Sequence, residues 1–281
     1  MAPQIRIARD AGVCYGVERA LKLAHEAAAR AGHASTLGPL IHNPRVVEEL
    51  ASEGVAVIDD LQELSPGDTL IIRTHGVKAS RITEAQDRGI TVIDATCPYV
   101  RKVQQAVRTL SAEGYQVIII GERDHPEVVA VRSHAGAGAL VVSTPDDIPA
   151  ELSAHKAGVV VQTTQTLDAL QAVVAALMPR CQELRVYNTI CDATSKRQEA
   201  TRELALDSEV MVVVGGQNSG NTTRLASISR EAGARTYHIE RPEELQRAWF
   251  EGVQRIGVTA GASTPAEHLD SVVAHIGELV A

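Results

Sequence analysis

Cys14, Cys97 and Cys191 lie 83 and 94 residues apart, close to a third of the 281-residue chain each time. Each opens a segment with helical spacing of apolar residues: CYGVERALKLA, CPYVRKVQQAV and CDATSKRQEAT. A thiol at a strand end and helix start is biased towards thiolate by the helix N-terminus, and thiolate is the form that binds soft metals. The chemistry this suggests is zinc or iron–sulfur ligation. No C-x-x-C pair is present, and a structural zinc site would ordinarily need a fourth protein ligand. Three sulfurs leave one corner of a cubane cluster unligated by protein, which suits substrate binding at iron better than simple electron transfer. Cys181, in LMPRCQEL, falls outside the pattern and reads as a small hydrophobe.

Three of the ten histidines stand at strand ends or turns: His42 in PLIHNP, His75 in IIRTHGV and His125 in GERDHPEV. His25, His33, His134, His155, His238, His268 and His275 have surface or satisfied-core contexts. Glu127, two residues beyond His125, reads either as ordinary first-turn compensation of a helix dipole or, in a closed pocket, as a proton donor. Thr163 and Thr164 end the run VVVQTTQT. Asn218, Ser219 and Asn221 lie in GGQNSGNTTRL, and Ser263 in VTAGASTPAEHL, each between an apolar run and a helical pattern. Strand, small polar turn and helix present N–H and hydroxyl groups to a phosphate, although the same residues also serve as plain helix caps. GGQNSGN is neither a Walker A nor a G-x-G-x-x-G sequence, so it predicts no triphosphate or dinucleotide site.

The elements that must carry these residues are short. IRIA, VAVI, TLIIRTH, TVIDAT, YQVIIIG, ALVVS, GVVVQTT, LRVYNTI, EVMVVVGG, TYHIE and RIGVTAGA alternate with helical patterns such as RALKLAHEAAARAG, PRVVEELASEG, VRKVQQAVRTLSAEG, TRLASISREAG and PEELQRAWFEG. Runs that are apolar on both faces and separated by helices predict an α/β fold with mainly parallel sheets. The glycines that close the helical patterns are expected C-caps. The cysteine period predicts three similar units, 13–96, 97–190 and 191–281, the last taking in an N-terminal strand from 1–12. A formal charge of −8 argues against sequence-independent nucleic-acid binding. Apolar runs of about seven residues are too short to span a membrane, and Arg6 and Asp10 interrupt any export signal. The expected compartment is the reducing cytoplasm.

Taken in order, GVCYGVERAL, IHNPRVVEEL, RTHGV, IDATCPYVRKV, DHPEV, QTTQT, ICDATSKRQ, GGQNSGNTTRL and TAGAS closely resemble the LytB/IspH family of 4-hydroxy-3-methylbut-2-enyl diphosphate reductases. The resemblance implies three α/β units in a trefoil around one 4Fe–4S cluster, held by Cys14, Cys97 and Cys191 with the fourth iron open to substrate. It implies reductive removal of the C4 hydroxyl of an allylic diphosphate, yielding isopentenyl and dimethylallyl diphosphates, the last step of the methylerythritol phosphate route. Glu127 would deliver protons, with Thr163 and His125 in the relay. His42, His75, His125, Thr163, Ser219, Gly220, Asn221 and Ser263 would hold the substrate. The chain carries no flavin or nicotinamide signature, so electrons are expected from a ferredoxin or flavodoxin. Val13 stands where the family commonly has Phe, and Gly220 where some members have a second serine. Residue types alone leave two other readings open, a non-catalytic iron–sulfur sensor and a zinc-dependent phosphoester hydrolase.

Overall fold

The computed structural model describes residues 3–136 and 138–281. Twelve strands are found among them: β1 (Gln4–Ile7), β2 (Ala34–Leu37), β3 (Val55–Ile58), β4 (Thr69–Ile72), β5 (Thr91–Asp94), β6 (Gln116–Ile120), β7 (Leu140–Val142), β8 (Ala154–Val161), β9 (Cys181–Val186), β10 (Val210–Val214), β11 (Arg235–Ile239) and β12 (Arg255–Ala260). They form three four-stranded sheets, ordered β3-β2-β4-β5, β7-β6-β8-β9 and β11-β10-β12-β1. Every pairing is parallel. The α/β expectation is met.

The three sheets share one plan. Numbered along the chain, each runs second, first, third, fourth, provided β1 is taken as the fourth strand of the sheet that β10 begins. Parallel neighbours need crossovers, and helices supply them. The helices are α1 (Tyr15–Ala31), α2 (Pro44–Ser52), α3 (Ala79–Asp87), α4 (Pro98–Ala112), α5 (Pro126–Arg132), α6 (Leu167–Leu177), α7 (Asp192–Leu206), α8 (Gly220–Glu231) and α9 (Ala266–Val280). By compactness the chain divides into two units. One comprises Met1–Glu18, Ile41–Glu49 and Asp192–Ala281, and holds the sheet of β1 and β10–β12; the other comprises Arg19–Leu40 and Leu50–Cys191, and holds the remaining two sheets.

Why the strand sequences are apolar throughout is visible in β6 and β8. Val117, Ile119 and Val160 join one core cluster with Val103, Val107 and Leu110 of α4. Ile118, Ile120, Val159 and Val161 join another with Leu170 and Val173 of α6. Side chains alternate between faces with period two, and both faces are covered, so neither face tolerates polar residues. Gly158 in β8 is required by this packing: a Cβ there would meet Leu110 Cδ2 at 2.5 Å.

Two expectations need correction. PEELQRAWFEG is not an α-helix but two 3₁₀ turns, Pro242–Glu244 and Arg247–Phe250. The backbone is extended at Leu245 (ψ 138°) between them. Glu244 turns its carboxylate back to accept from the N–H groups of Glu240 and Arg241 at 2.8 and 2.7 Å, closing the first turn early, and Leu245 and Phe250 are both buried. Two short turns meet the apolar spacing here. The other difference is β2, ASTL, an inner strand that the pattern of apolar runs passes over. All four of its residues are buried, two of them hydroxylated.

Candidate functional site

In parallel α/β sheets the residues beyond the carboxyl ends of the strands are left over for function. Here they recur at matching stations. Directly after β2, β6 and β10 stand Gly38, Gly121 and Gly215, whose N–H groups donate at 2.9 Å to the last carbonyls of β3, β7 and β11: Ile58, Val142 and Ile239. Five residues past those three strands stand His42, His125 and Ser219. Three past β4 and β12 are His75 and Ser263, and two past β8 is Thr163. Beyond the fourth strands come Cys14, Cys97 and Cys191. Their N–H groups donate to Ala262, Thr74 and Thr163 at 3.2, 2.9 and 3.0 Å, in each case the second residue beyond the neighbouring inner strand. A thiol, an imidazole or hydroxyl, and a second imidazole or hydroxyl thus occur once per sheet.

In the unit of Arg19–Leu40 and Leu50–Cys191, a bonded series ends on a cysteine. His125 caps α5, its Nδ1 accepting from the Glu127 N–H at 3.1 Å. That bond places the proton of the neutral ring on Nε2. The Glu127 carboxyl, 2 % exposed, accepts from the Thr163 N–H and the Thr163 hydroxyl, both at 2.7 Å. The Thr163 carbonyl then accepts from the Cys191 N–H. Burial pushes the Glu127 carboxyl up to about 7, against the two Thr163 bonds that hold it down, with the Glu122 charge adding to the rise. A carboxyl poised there can both give and recover a proton near neutrality. The His75 and His125 rings lie edge to face, centroids 5.4 Å apart.

In the unit of Met1–Glu18, Ile41–Glu49 and Asp192–Ala281, small polar groups dominate. The Ser263 hydroxyl donates to the His42 carbonyl at 3.1 Å, and Asn43 Nδ2 donates to the Ser263 carbonyl at 2.7 Å. Ser219 caps α8 by accepting from the Thr222 N–H at 3.3 Å. Gly220 and Asn221 form the first turn of α8. Both amide atoms of Asn221 are buried and have no hydrogen-bond partner among the described residues. A buried amide in that condition at a helix N-terminus is a ready anion ligand. Gly216 admits no side chain, since a Cβ would stand 2.5 Å from the His42 carbonyl oxygen.

Asn43, which fixes Ser263, escaped sequence reading, although an Asn before Pro44 is a helix-start signal that could have found it. Cys181 begins β9, is half-buried among apolar neighbours and donates its thiol to the Leu177 carbonyl, as its small-hydrophobe reading requires. His238 and His268 are held by the Gly215 carbonyl and the Glu49 carboxylate.

A family model described as LytB protein matches residues 5–277. The chain belongs to the LytB family. Similar curated LytB relatives include the 4-hydroxy-3-methylbut-2-enyl diphosphate reductases of Geobacter sulfurreducens, 46 % identical over 98 % of this chain and 97 % of that protein, and of Pelobacter propionicus, 46 % identical over 98 % of each. Among solved structures, one described as (E)-4-hydroxy-3-methyl-but-2-enyl diphosphate reductase, the terminal enzyme of the non-mevalonate pathway, is 45 % identical, with TM-score 0.73, over 99 % of this chain and 100 % of that one. The Plasmodium falciparum reductase is 26 % identical with TM-score 0.90, over 98 % and 88 % respectively. Cys14, Cys97 and Cys191 of the LytB chain stand at three helix starts and form no disulfide, and thiols at such positions have the donor chemistry that soft metals favour.

Proposed function

We propose that the chain reductively dehydroxylates (E)-4-hydroxy-3-methylbut-2-enyl diphosphate to isopentenyl and dimethylallyl diphosphates, closing the methylerythritol phosphate route to isoprenoids. The observation that carries this reading is full-length identity of 46 % to curated reductases, joined to a buried carboxyl poised near neutrality beside one of three equivalently placed cysteines. The reaction consumes two electrons and two protons, breaks the C4–O bond, releases water and leaves a new C–H bond on the allyl fragment. A 4Fe–4S cluster held by Cys14, Cys97 and Cys191 would supply electrons and Lewis acidity at its open iron. A ferredoxin or flavodoxin in the cytoplasm is the proposed electron source; among the described residues no helix is long and apolar enough to cross a membrane.

The chain's own residues divide the remaining work. Glu127 holds the proton that the departing hydroxyl requires, and its carboxyl is kept in place by Thr163. His125, its Nδ1 committed to α5, keeps the proton of its neutral ring on Nε2 as a donor for substrate, with His75 packed against its ring. His42, Ser219, Gly220, Asn221 and Ser263 take the diphosphate, whose binding fixes the pose remotely from the reacting carbon. The Ser263 hydroxyl donates to His42 and must rotate to serve a phosphate. Gly220 offers its N–H alone. The shared strand order of the three sheets supports three units, 13–96, 97–190 and 191–281 with 1–12. Anaerobic reconstitution, iron and sulfide analysis and turnover with a reduced dye test the reading; full activity in Cys97→Ser would overturn it.

A further inference from the structure

Helix starts ordinarily collect carboxylates, because the exposed N–H groups there carry partial positive charge. Two of the helices that follow the three cysteines keep one, Glu18 in α1 and Asp192 in α7, yet each of the three also carries an arginine in its first two turns, namely Arg19 in α1, Arg101 in α4 and Arg197 in α7. All three donate to backbone carbonyls of loops that carry cysteines. Arg19 forks onto the Asp94 and Thr96 carbonyls at 3.2 and 3.3 Å. Since the Cys97 N–H donates to the Thr74 carbonyl, the Thr96–Cys97 peptide is pinned at both ends, and so is the direction of the Cys97 side chain. Arg197, 3 % exposed, donates to the Gly12 carbonyl, two residues before Cys14, at 2.7 Å, and to the Ala193 carbonyl, two residues after Cys191, at 3.2 Å.

The charges are not equivalent. Arg101 is neutralised by the Asp94 carboxylate at 2.7 Å. Arg19 is half-buried and has no carboxylate within ion-pair distance among the described residues; its hydrogen bonds are to carbonyls. A cation that pairs with no acid, set on the peptide of a thiolate ligand, stabilises whichever state of the metal centre is more negative. That is the reduced state.

We propose that Arg19 is a positioning residue that sets the reduction potential of the metal centre, its charge making the centre easier to reduce. This rests on the cluster reading above. The test reconstitutes Arg19→Gln and Arg19→Lys anaerobically, measures iron and sulfide, and follows reduction by EPR-monitored titration. Arg19→Gln is expected to load, with the reduced-to-oxidised ratio at a fixed potential falling about tenfold, equivalent to about 59 mV for a one-electron couple. Arg19→Lys, which keeps the charge, is expected to stay within about twofold of the unsubstituted protein (an order-of-magnitude allowance for the changed head group). An unchanged potential in a loaded Arg19→Gln overturns the proposal. So does an equal fall in both variants, or a folded Arg19→Gln that takes no cluster, since each makes the arginine a matter of loop shape alone. If the unsubstituted protein binds no iron and sulfide, the cluster reading itself has failed.

Discussion

Glu127 is a single residue on which stability and chemistry pull apart. Its native carboxyl holds a proton up to about 7, whereas the unfolded one releases it near 4.5. Between those values the native state binds more protons, so its stability falls as pH rises and stays lower above 7, by on the order of 3 kcal/mol. Glu127→Gln has no such loss. Denaturant unfolding of the cluster-free proteins should therefore show the variant gaining on the parent at pH 8 but not at pH 4. Its turnover should drop by about 10² to 10⁴, as expected for a lost proton donor, while iron content is kept. In the parent, kcat should decline about tenfold per unit above pH 7. Thr163→Val deletes a hydroxyl bond that holds the carboxyl down, so the same decline should begin at higher pH. A decline that begins lower would contradict the role of Thr163.

At the scale of elements, the candidate residues stand at strand ends, and what such ends need is close backbone approach. Gly216 is the sharpest case, because the atom its Cβ would meet is the His42 backbone oxygen, which cannot swing aside as a side chain can. Gly216→Ala should displace the His42 loop, raising KM for the diphosphate substrate by about tenfold or more with a smaller effect on kcat, and costing roughly 1–3 kcal/mol of stability. Steady-state kinetics and urea unfolding check both. The elements themselves were largely legible. Both-face apolar runs announced eleven of the twelve strands, and the closing glycines Gly32, Gly54, Gly114 and Gly233 do sit at positive φ. PEELQRAWFEG misled because periodicity records which residues are buried and not whether one helix or two turns bury them. ASTL was invisible because a four-residue strand with two hydroxyls has no pattern of its own until its neighbours cover it.

For the whole molecule, the third sheet is closed by a strand from the opposite end of the chain: Gln4 pairs with Arg255 and Ile7 with Val258. Pairings that distant form late and make folding slow. Three cysteines from far-apart segments can hold one cluster only when the chain is native, so loading should raise the unfolding midpoint by mass action. Differential scanning of loaded and cluster-free protein should show this rise. It should be lost in Cys14→Ser, Cys97→Ser and Cys191→Ser, and retained in Cys181→Ser.

The sequence by itself determined the α/β class, the cysteine period and the family, and it nominated the candidate site residues, because these depend on residue type and spacing, which a linear chain displays. Only the tertiary structure decided the rest. That Thr163 joins Glu127 to Cys191, that Asn43 fixes Ser263, and that Arg19 and Arg197 reach the cysteine loops are facts about residues 28 to 220 positions apart. Such contacts exist only once each unit has folded, and the raised pKa of Glu127 exists only once water has been excluded from around it.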